Sequence, residues 1–396
     1  QAKSAARSAF ESAKQRFFGH LLTSMKTPTL IAAIDADLTA GHAAVIQIVS
    51  TGEALMERRL TEIPTEEWND IRVDITPREY VMDYLAHSFP VQLYEPFTDS
   101  EGNLSSRPVV REGQPVECRE AARRRDALIE KLASLPPVPG ALDQIVQRFG
   151  TDLVAEVTGR SRRIVRKGEG HAARLVVESR AGSANLAETA AFMDDQKRIL
   201  IFSDAGGTGR SYHADLGAKN QRLRVHYLLE PGWKADAAIQ GLGRTNRTNQ
   251  AQPPLFRPVA TDVKAEKRFL STIARRLDTL GAITRGQRQT GGQGLFRPED
   301  NLESPYARDA LRQLYRRIYR GDVAGCSLGA FEDATGLSLT DDNGLKDDLP
   351  PITTFLNRLL ALTIDMQAVL FSVFEELLDQ RIETSGSRRC APRAFR

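Results

Sequence analysis

"RILIFSDAGGTGRS", residues 198–211, is an apolar run that ends in a cluster of glycines. Ile199, Leu200, Ile201 and Phe202 follow one another without a polar interruption, as a strand buried on both faces requires. Gly206, Gly207 and Gly209 then crowd into four positions, where backbone N–H groups can approach a neighbour closely. A phosphate loop is the first reading to test. It fails the G-x-x-x-x-G-K-[ST] pattern, because Arg210 stands where lysine is required, and the G-x-G-x-x-G spacing of dinucleotide folds is also missing. A tight strand-to-helix turn with no ligand remains open. Outward from this point, apolar runs alternate with helical patterns. "AAVIQIVS" (43–50), "RLRVHYLLE" (222–230) and "PLFRPVA" (254–260) read as strands. "TGEALMERRL" (51–60), "SANLAETAAFMDD" (183–195, with Ser183 as N-cap), "KADAAIQGLGRTNR" (234–247) and "KAEKRFLSTIARRLDTLG" (264–281, closed by Gly281) read as helices. The alternation predicts an α/β fold with a mainly parallel sheet covered on both faces. Ligands of such sheets sit at loops leaving the carboxyl ends of strands, and "DAGGTGRS" is one.

The second informative stretch is "QGLGRTNRTNQ", residues 240–250. On a helix, Arg244 and Arg247 share a face, with Gln240 one turn earlier and Gly243 leaving room for a close neighbour. Two guanidiniums on one face repel unless an anion sits opposite, and a triphosphate suits their fork geometry. A solvated basic helix face is the plain alternative.

Bulk properties narrow the classes. The 396 residues are 41% hydrophobic and 27% charged with a net charge of +3, so nucleic-acid contact must come from local patches rather than from a polycationic chain. Cys118, Cys326 and Cys390 are widely separated and form neither a metal signature nor a disulfide framework, which points to a reducing compartment. No apolar run approaches a membrane span and no secretory signal opens the chain, so an intracellular, non-secreted protein is expected, cytoplasmic in a bacterium or nuclear in a eukaryote.

Together, the glycine cluster and the Q-x-x-G-R-x-x-R run about thirty residues later resemble the second RecA-like lobe of superfamily 2 helicases, closest to the Swi/Snf-type branch. The wider run "KNQRLRVHYLLEPGWKADAAIQGLGRTNRTNQ", followed by "EKRFLSTIARRLDTLGAITRGQR", resembles the strawberry notch helicase C-terminal domain, as do "STGEAL" and "LVAEVTGR". The resemblance covers roughly residues 15 to 380. It implies that Ser203 to Arg210 form motif V, with Gly206, Gly207, Thr208 and Arg210 at the nucleic-acid phosphates and Gly209 toward the nucleotide. Gln240, Gly243, Arg244 and Arg247 become motif VI, reaching the γ-phosphate, with Arg247 as arginine finger. Asp236 would orient an arginine or touch ribose, and Thr51 and Gly52 would be motif IV, near bound nucleic acid. Implied cofactors are ATP and Mg²⁺, held mainly by a first lobe. Implied partners are that upstream RecA-like lobe of the same polypeptide and nucleic acid, with double-stranded DNA the expected track. A G-K-[ST] lysine and an acidic Mg²⁺ motif are missing from this sequence, and the first residue is Gln1. The first lobe is therefore expected upstream, and this chain alone is expected to be inactive. The alternative class is a non-catalytic helicase-like interaction module.

The expected organisation is a lead-in helix over 1–30, a RecA-like lobe over 31–290 with an insertion at about 61–180, a helical extension over 291–385 and a disordered tail over 386–396. Arg162 and Arg163 lie in a dense basic run (Arg160 to Lys167) on a predicted hairpin rim that could meet a phosphate backbone. Arg285 and Arg288 could line the same channel, and Trp233 is expected to pack the loop before motif VI. Tyr315 and Tyr319, four apart on a helix, could stack on bases, but tyrosines so spaced more often belong to a core. His213 and His226 lie near the motif core with no cysteine or carboxylate cluster to suggest a metal. The helices at 353–383 are core or a docking face for a protein partner.

Overall fold

The computed structural model describes residues 2–71, 78–136, 138–207, 209–230, 232, 235–279, 298–360 and 362–389. Five strands form one parallel sheet: β1 (Ala43–Gln47), β2 (Val154–Val157), β3 (Ile199–Phe202), β4 (Arg224–Leu228) and β5 (Leu255–Pro258). Their order is β5-β4-β1-β3-β2 and every pair is parallel, with Val45 opposite His226 on one side and Leu200 on the other. All residues of β1, β2, β3 and β4 are buried, which explains why β1, β3 and β4 read as largely apolar runs rather than alternating ones. β5, at one edge, alternates exposed and half-buried positions.

α1 (Ala2–Thr39) runs through Pro28 and beyond the expected end near residue 30. Thr27, Leu30 and Ile34 are buried along it, and their packing outweighs the hydrogen bond that a proline removes. The chain divides into two compact units. One takes residues 1–25, 52–144 and 167–177. It holds α2 (Glu53–Thr61), α3 (Arg78–His87) and α4 (Arg119–Ala133), with Ala13, Tyr84 and Leu85 at its core. Within the expected insertion the chain forms two antiparallel hairpins here, Tyr94–Thr98 with Leu104–Pro108 and Val110–Arg111 with Gln114–Pro115. Asp99 ties the first turn by accepting from the N–H groups of Glu101 and Asn103.

The other unit takes 26–51, 145–166 and 178–396. β2 belongs to it, so the insertion is narrower than 61–180: the chain returns to supply an edge strand of the sheet after α5 (Ala141–Phe149). α6 (Ala184–Met193) follows Ser183, which takes the N-cap position as expected but has helical backbone angles and a side chain that makes no capping bond. α7 (Asp204–Gly207) is one helical turn where a loop was expected. α8 (Ala235–Leu242) and α9 (Lys267–Thr279) follow; Gly281 lies outside the described residues. The extension comprises α10 (Pro305–Arg320), α11 (Leu328–Thr335), α12 (Ile352–Leu359) and α13 (Ile364–Arg389). It docks on the same unit: Lys264 and Lys267 pair with Glu375, and Arg268 bonds Asn357. α13 continues to Arg389, into the expected tail, and residues 390–396 lie outside the described residues.

Candidate active-site loops

β3 hands over to Ser203, which is buried, and then to the short α7, which holds Gly206 and Gly207. Thr208 lies outside the described residues. Gly209 follows with φ +76, a left-handed conformation that costs glycine little. From there the chain turns down past Arg210 to Tyr212, whose ring packs 5.2 Å from Phe202. The phenol of Tyr212 is buried, and desolvation raises its pKa.

The segment carrying the two arginines is not helical, a correction to the shared-face argument. α8 stops at Leu242, and Arg244 and Arg247 lie in the irregular turn that follows. Two glycines in three residues weaken the helix, and the chain closes it with a tight bond from the Arg244 N–H to the Gly241 carbonyl, 3.1 Å. What joins the arginines to the glycine segment is a pair of reciprocal bonds. Arg244 Nη1 donates to the Arg210 carbonyl at 2.8 Å, and the Tyr212 N–H donates to the Arg244 carbonyl at 2.7 Å. The Arg244 guanidinium also lies 5.9 Å from the Phe202 ring centroid, at the end of β3. Arg247 is exposed, and its side chain has no ion pair or hydrogen bond among the described residues. Its backbone is held instead: the Arg247 N–H donates to Gln250 Oε1 at 3.2 Å.

Other expected residues are placed as follows. Gln240 is exposed at the end of α8. Asp236 pairs with Arg276 of α9, at 2.6 Å. At Gly243 a Cβ would meet the carbonyls of Gln240, at 3.3 Å, and Ile239, at 3.8 Å; the tighter approach is at Gly241, where a Cβ would sit 2.1 Å from Gln47 Nε2. Thr51 follows β1, where Glu230 Oε2 accepts from the N–H groups of Val49 and Ser50. Gly52, in the other unit, has φ +71 and opens α2. Trp233, Arg285 and Arg288 lie outside the described residues. Tyr315 is buried in the extension and donates to the Pro350 carbonyl, whereas Tyr319 is exposed. His213 faces Asp215 at 3.0 Å. No described group of three or more His, Cys, Asp or Glu is placed to hold a metal, and no described helix is long and apolar enough to cross a membrane.

The basic run after β2 lies on the expected hairpin, Arg162–Lys167 with Arg174–Ser179, but its side chains divide. Arg166 and Lys167 are exposed and Arg162 is half-buried, but Arg160 and Arg163 are in the core. Arg163 is occupied by carboxylates, Glu178 at 2.7 Å and Glu156 at 3.2 Å. Glu156, within β2, is the residue that sequence reading passed over. Its Oε1 accepts from Thr158 Oγ1 at 2.7 Å and from Arg160 Nε at 2.6 Å, while Arg180 donates to its backbone carbonyl at 2.6 Å. Burial pushes this carboxyl up, but Arg160 and Arg180 outweigh it and hold the group at about 2. The segment it organises packs under α7: a Cβ at Gly159 would lie 3.0 Å from Ala205 Cβ. A glutamate inside the apolar run "LVAEV", with arginine four residues on, was the available signal.

His226, in the middle of β4, is completely buried between the rings of Phe202 and Phe256. Desolvation lowers its pKa to about 3, so the folded protein holds it neutral. The unfolded chain binds a proton below about pH 6.5 where the folded chain does not, so stability falls as pH drops from there toward 3. Chemical denaturation should therefore show about 1 kcal/mol less stability at pH 5.5 than at 7.5. In His226→Gln that difference should shrink markedly; an unchanged slope would assign it to other groups.

A family model described as the C-terminal domain on Strawberry notch homologue matches residues 140–389. The chain belongs to the strawberry notch helicase C-terminal domain family. Protein FORGETTER 1 of Arabidopsis thaliana is 36% identical over 294 residues, covering 65% of this chain and 23% of that protein. Protein strawberry notch of Drosophila melanogaster is 36% identical over 280 residues, 64% of this chain and 17% of that protein. Protein strawberry notch homolog 1 of Homo sapiens is 34% identical over 295 residues, 67% of this chain and 21% of that protein. The match thus spans about a fifth of the length of these relatives. No solved structure matches. In this strawberry notch domain the glycine segment and the two-arginine segment are neighbours in space, joined through Arg244 and Arg210.

Proposed function

We propose that this chain is the second lobe of an ATP-driven superfamily 2 helicase or translocase. Another lobe of the same polypeptide would supply the P-loop lysine and the carboxylates for Mg²⁺. ATP would lie between the lobes, and closure would bring Arg247 to the γ-phosphate as a finger, with Arg244 beside it. Such a group neutralises charge developing on the transferred phosphoryl and is worth ~10³–10⁵ in rate. The segment 203–210, whose α7 follows β3 directly, would carry the closing movement to nucleic acid, double-stranded DNA being the favoured track. The observation that supports this best is the contrast between the two arginines. Arg244 is tied to the motif V segment, whereas Arg247 is exposed on the adjoining turn without a described carboxylate to neutralise it. A guanidinium left in this way is ready for an anion brought by another body.

The test compares the full-length protein with this chain alone. Full-length protein should hydrolyse ATP and be stimulated by double-stranded DNA, while the isolated chain shows no turnover above background. Turnover by the isolated chain would mean that its own residues complete a nucleotide site. A full-length protein that neither binds nor hydrolyses ATP would instead favour the interaction-module reading.

A further inference from the structure

We propose that Gln47, His226 and Thr245 form a buried relay that sets the position of the arginine-bearing turn, making all three positioning residues for phosphoryl transfer. The proposal rests on the reading of Arg244 and Arg247 given above. It starts from an oddity of the core. Three polar side chains meet beneath the turn, each almost wholly removed from solvent: Gln47 at 3% exposure, His226 at 0% and Thr245 at 1%. They come from the end of β1, the middle of β4 and the residue directly after Arg244.

The hydrogen bonds have a forced direction. Gln47 Nε2 lies 3.0 Å from the Ala238 carbonyl in α8, so it donates there. Gln47 Oε1 is then left to accept, and His226 Nε2 faces it at 2.9 Å, so that nitrogen carries the proton. Because burial keeps the ring neutral, His226 Nδ1 is bare and accepts from the Thr245 hydroxyl at 2.7 Å, a shorter contact than the 3.3 Å from that hydroxyl to the Leu242 carbonyl. The chain runs Thr245 to His226 to Gln47 to the backbone of α8, with one proton for each link. Reversing any member would place two donors or two acceptors face to face. With the ring neutral, a single arrangement is thus satisfied, and a half-satisfied one is costly where water is excluded. Gly241 lets α8 close on this relay, because a Cβ there would collide with the Gln47 amide.

The consequence for the site is geometric. Thr245 is held from below while its neighbour Arg244 is held from the side by the Arg210 carbonyl. The turn leading to Arg247 is thereby fixed to two strands of the sheet rather than left at the end of a short helix. An arginine that must meet phosphate only at closure benefits from such anchoring, since small misplacements cost catalysis heavily. The resting fold need not benefit equally, because the same turn is also held by the Arg247–Gln250 bond.

The experiment uses the full-length protein with Thr245→Val, which keeps the shape and removes the hydroxyl, and Thr245→Ser, which restores it. Thr245→Val should lower kcat for ATP about tenfold with KM changed less than twofold, and Thr245→Ser should recover most of the loss. On ¹⁵N-histidine-labelled protein, the His226 ring should appear as a neutral Nε2–H tautomer that does not titrate between pH 8 and 5. Thr245→Val should perturb that signal and Thr245→Ser should leave it in place. Full kcat in Thr245→Val, or a His226 ring protonated on Nδ1, overturns the relay. Failure of the arginine reading is separable: there Arg247→Ala itself would leave turnover intact, whereas a wrong relay leaves Arg247→Ala inactive and Thr245→Val active.

Discussion

Replacing Arg247 by alanine should lower kcat for ATP hydrolysis by the full-length protein at least ~10³-fold while leaving the folding midpoint of this lobe within the range of surface substitutions. The two halves of that expectation have one cause. Arg247 is exposed and its side chain has no described partner, so the resting fold loses no ion pair or buried contact when it is truncated. Its whole contribution would be made when a phosphate arrives. Arg247→Lys should rescue little, because an ammonium cannot fork onto two phosphate oxygens. ATP binding should weaken much less than kcat falls, since the added interaction belongs to the transition state. Arg244→Ala is the informative contrast. It also deletes the bond to the Arg210 carbonyl and the contact over Phe202, so stability should fall along with activity. Retention of full turnover in Arg247→Ala would remove the finger from the mechanism.

The largest effect on stability is expected at Glu156. Glu156→Gln should destabilise the α/β unit by about 3–5 kcal/mol, as for other buried ion pairs that lose one partner. The carboxylate is wholly buried and pairs with Arg160 at 2.6 Å and Arg163 at 3.2 Å, with Arg180 also at its side. Glutamine fits the space but leaves buried guanidiniums without their shared counter-charge, and each must then be desolvated with weaker compensation. Urea denaturation followed by circular dichroism measures this directly. A loss below about 1 kcal/mol, the scale of an exposed pair, would show that Glu178 and the backbone carbonyls suffice to hold the arginines. Because Arg160 follows Gly159, which packs under Ala205, the same substitution should also loosen α7. Hydrogen exchange at residues 204–207 should rise in the variant before global unfolding does.

Much of the fold could be read along the chain because its strands are buried on both faces. Runs such as "ILIF" and "VHYLL" have no competing period, so their class was unambiguous. β2 was harder. The hairpin expected after it does form, Arg162–Lys167 with Arg174–Ser179, but only the sheet order β5-β4-β1-β3-β2 shows that Val154–Val157 is an edge strand whose Glu156 draws Arg160 and Arg163 inward. The arginine turn was misjudged for a related reason. Helical spacing of Arg244 and Arg247 was correct arithmetic applied to a segment that leaves the helix at Leu242, where glycines and the capture of Thr245 by His226 override local propensity.

The sequence by itself determined the parallel α/β class, four of the five strands of the sheet, and the succession of a glycine segment and a two-arginine segment characteristic of strawberry notch domains. Those features are written in local composition and short spacings, which survive without knowledge of neighbours. Only the tertiary structure decided which charges are exposed and which are buried, that Arg244 reaches the Arg210 carbonyl, and that Gln47 and Thr245 meet across His226. These depend on residues separated by up to 179 positions. Their value comes from exclusion of water, a property that no residue has until the sheet and helices close around it.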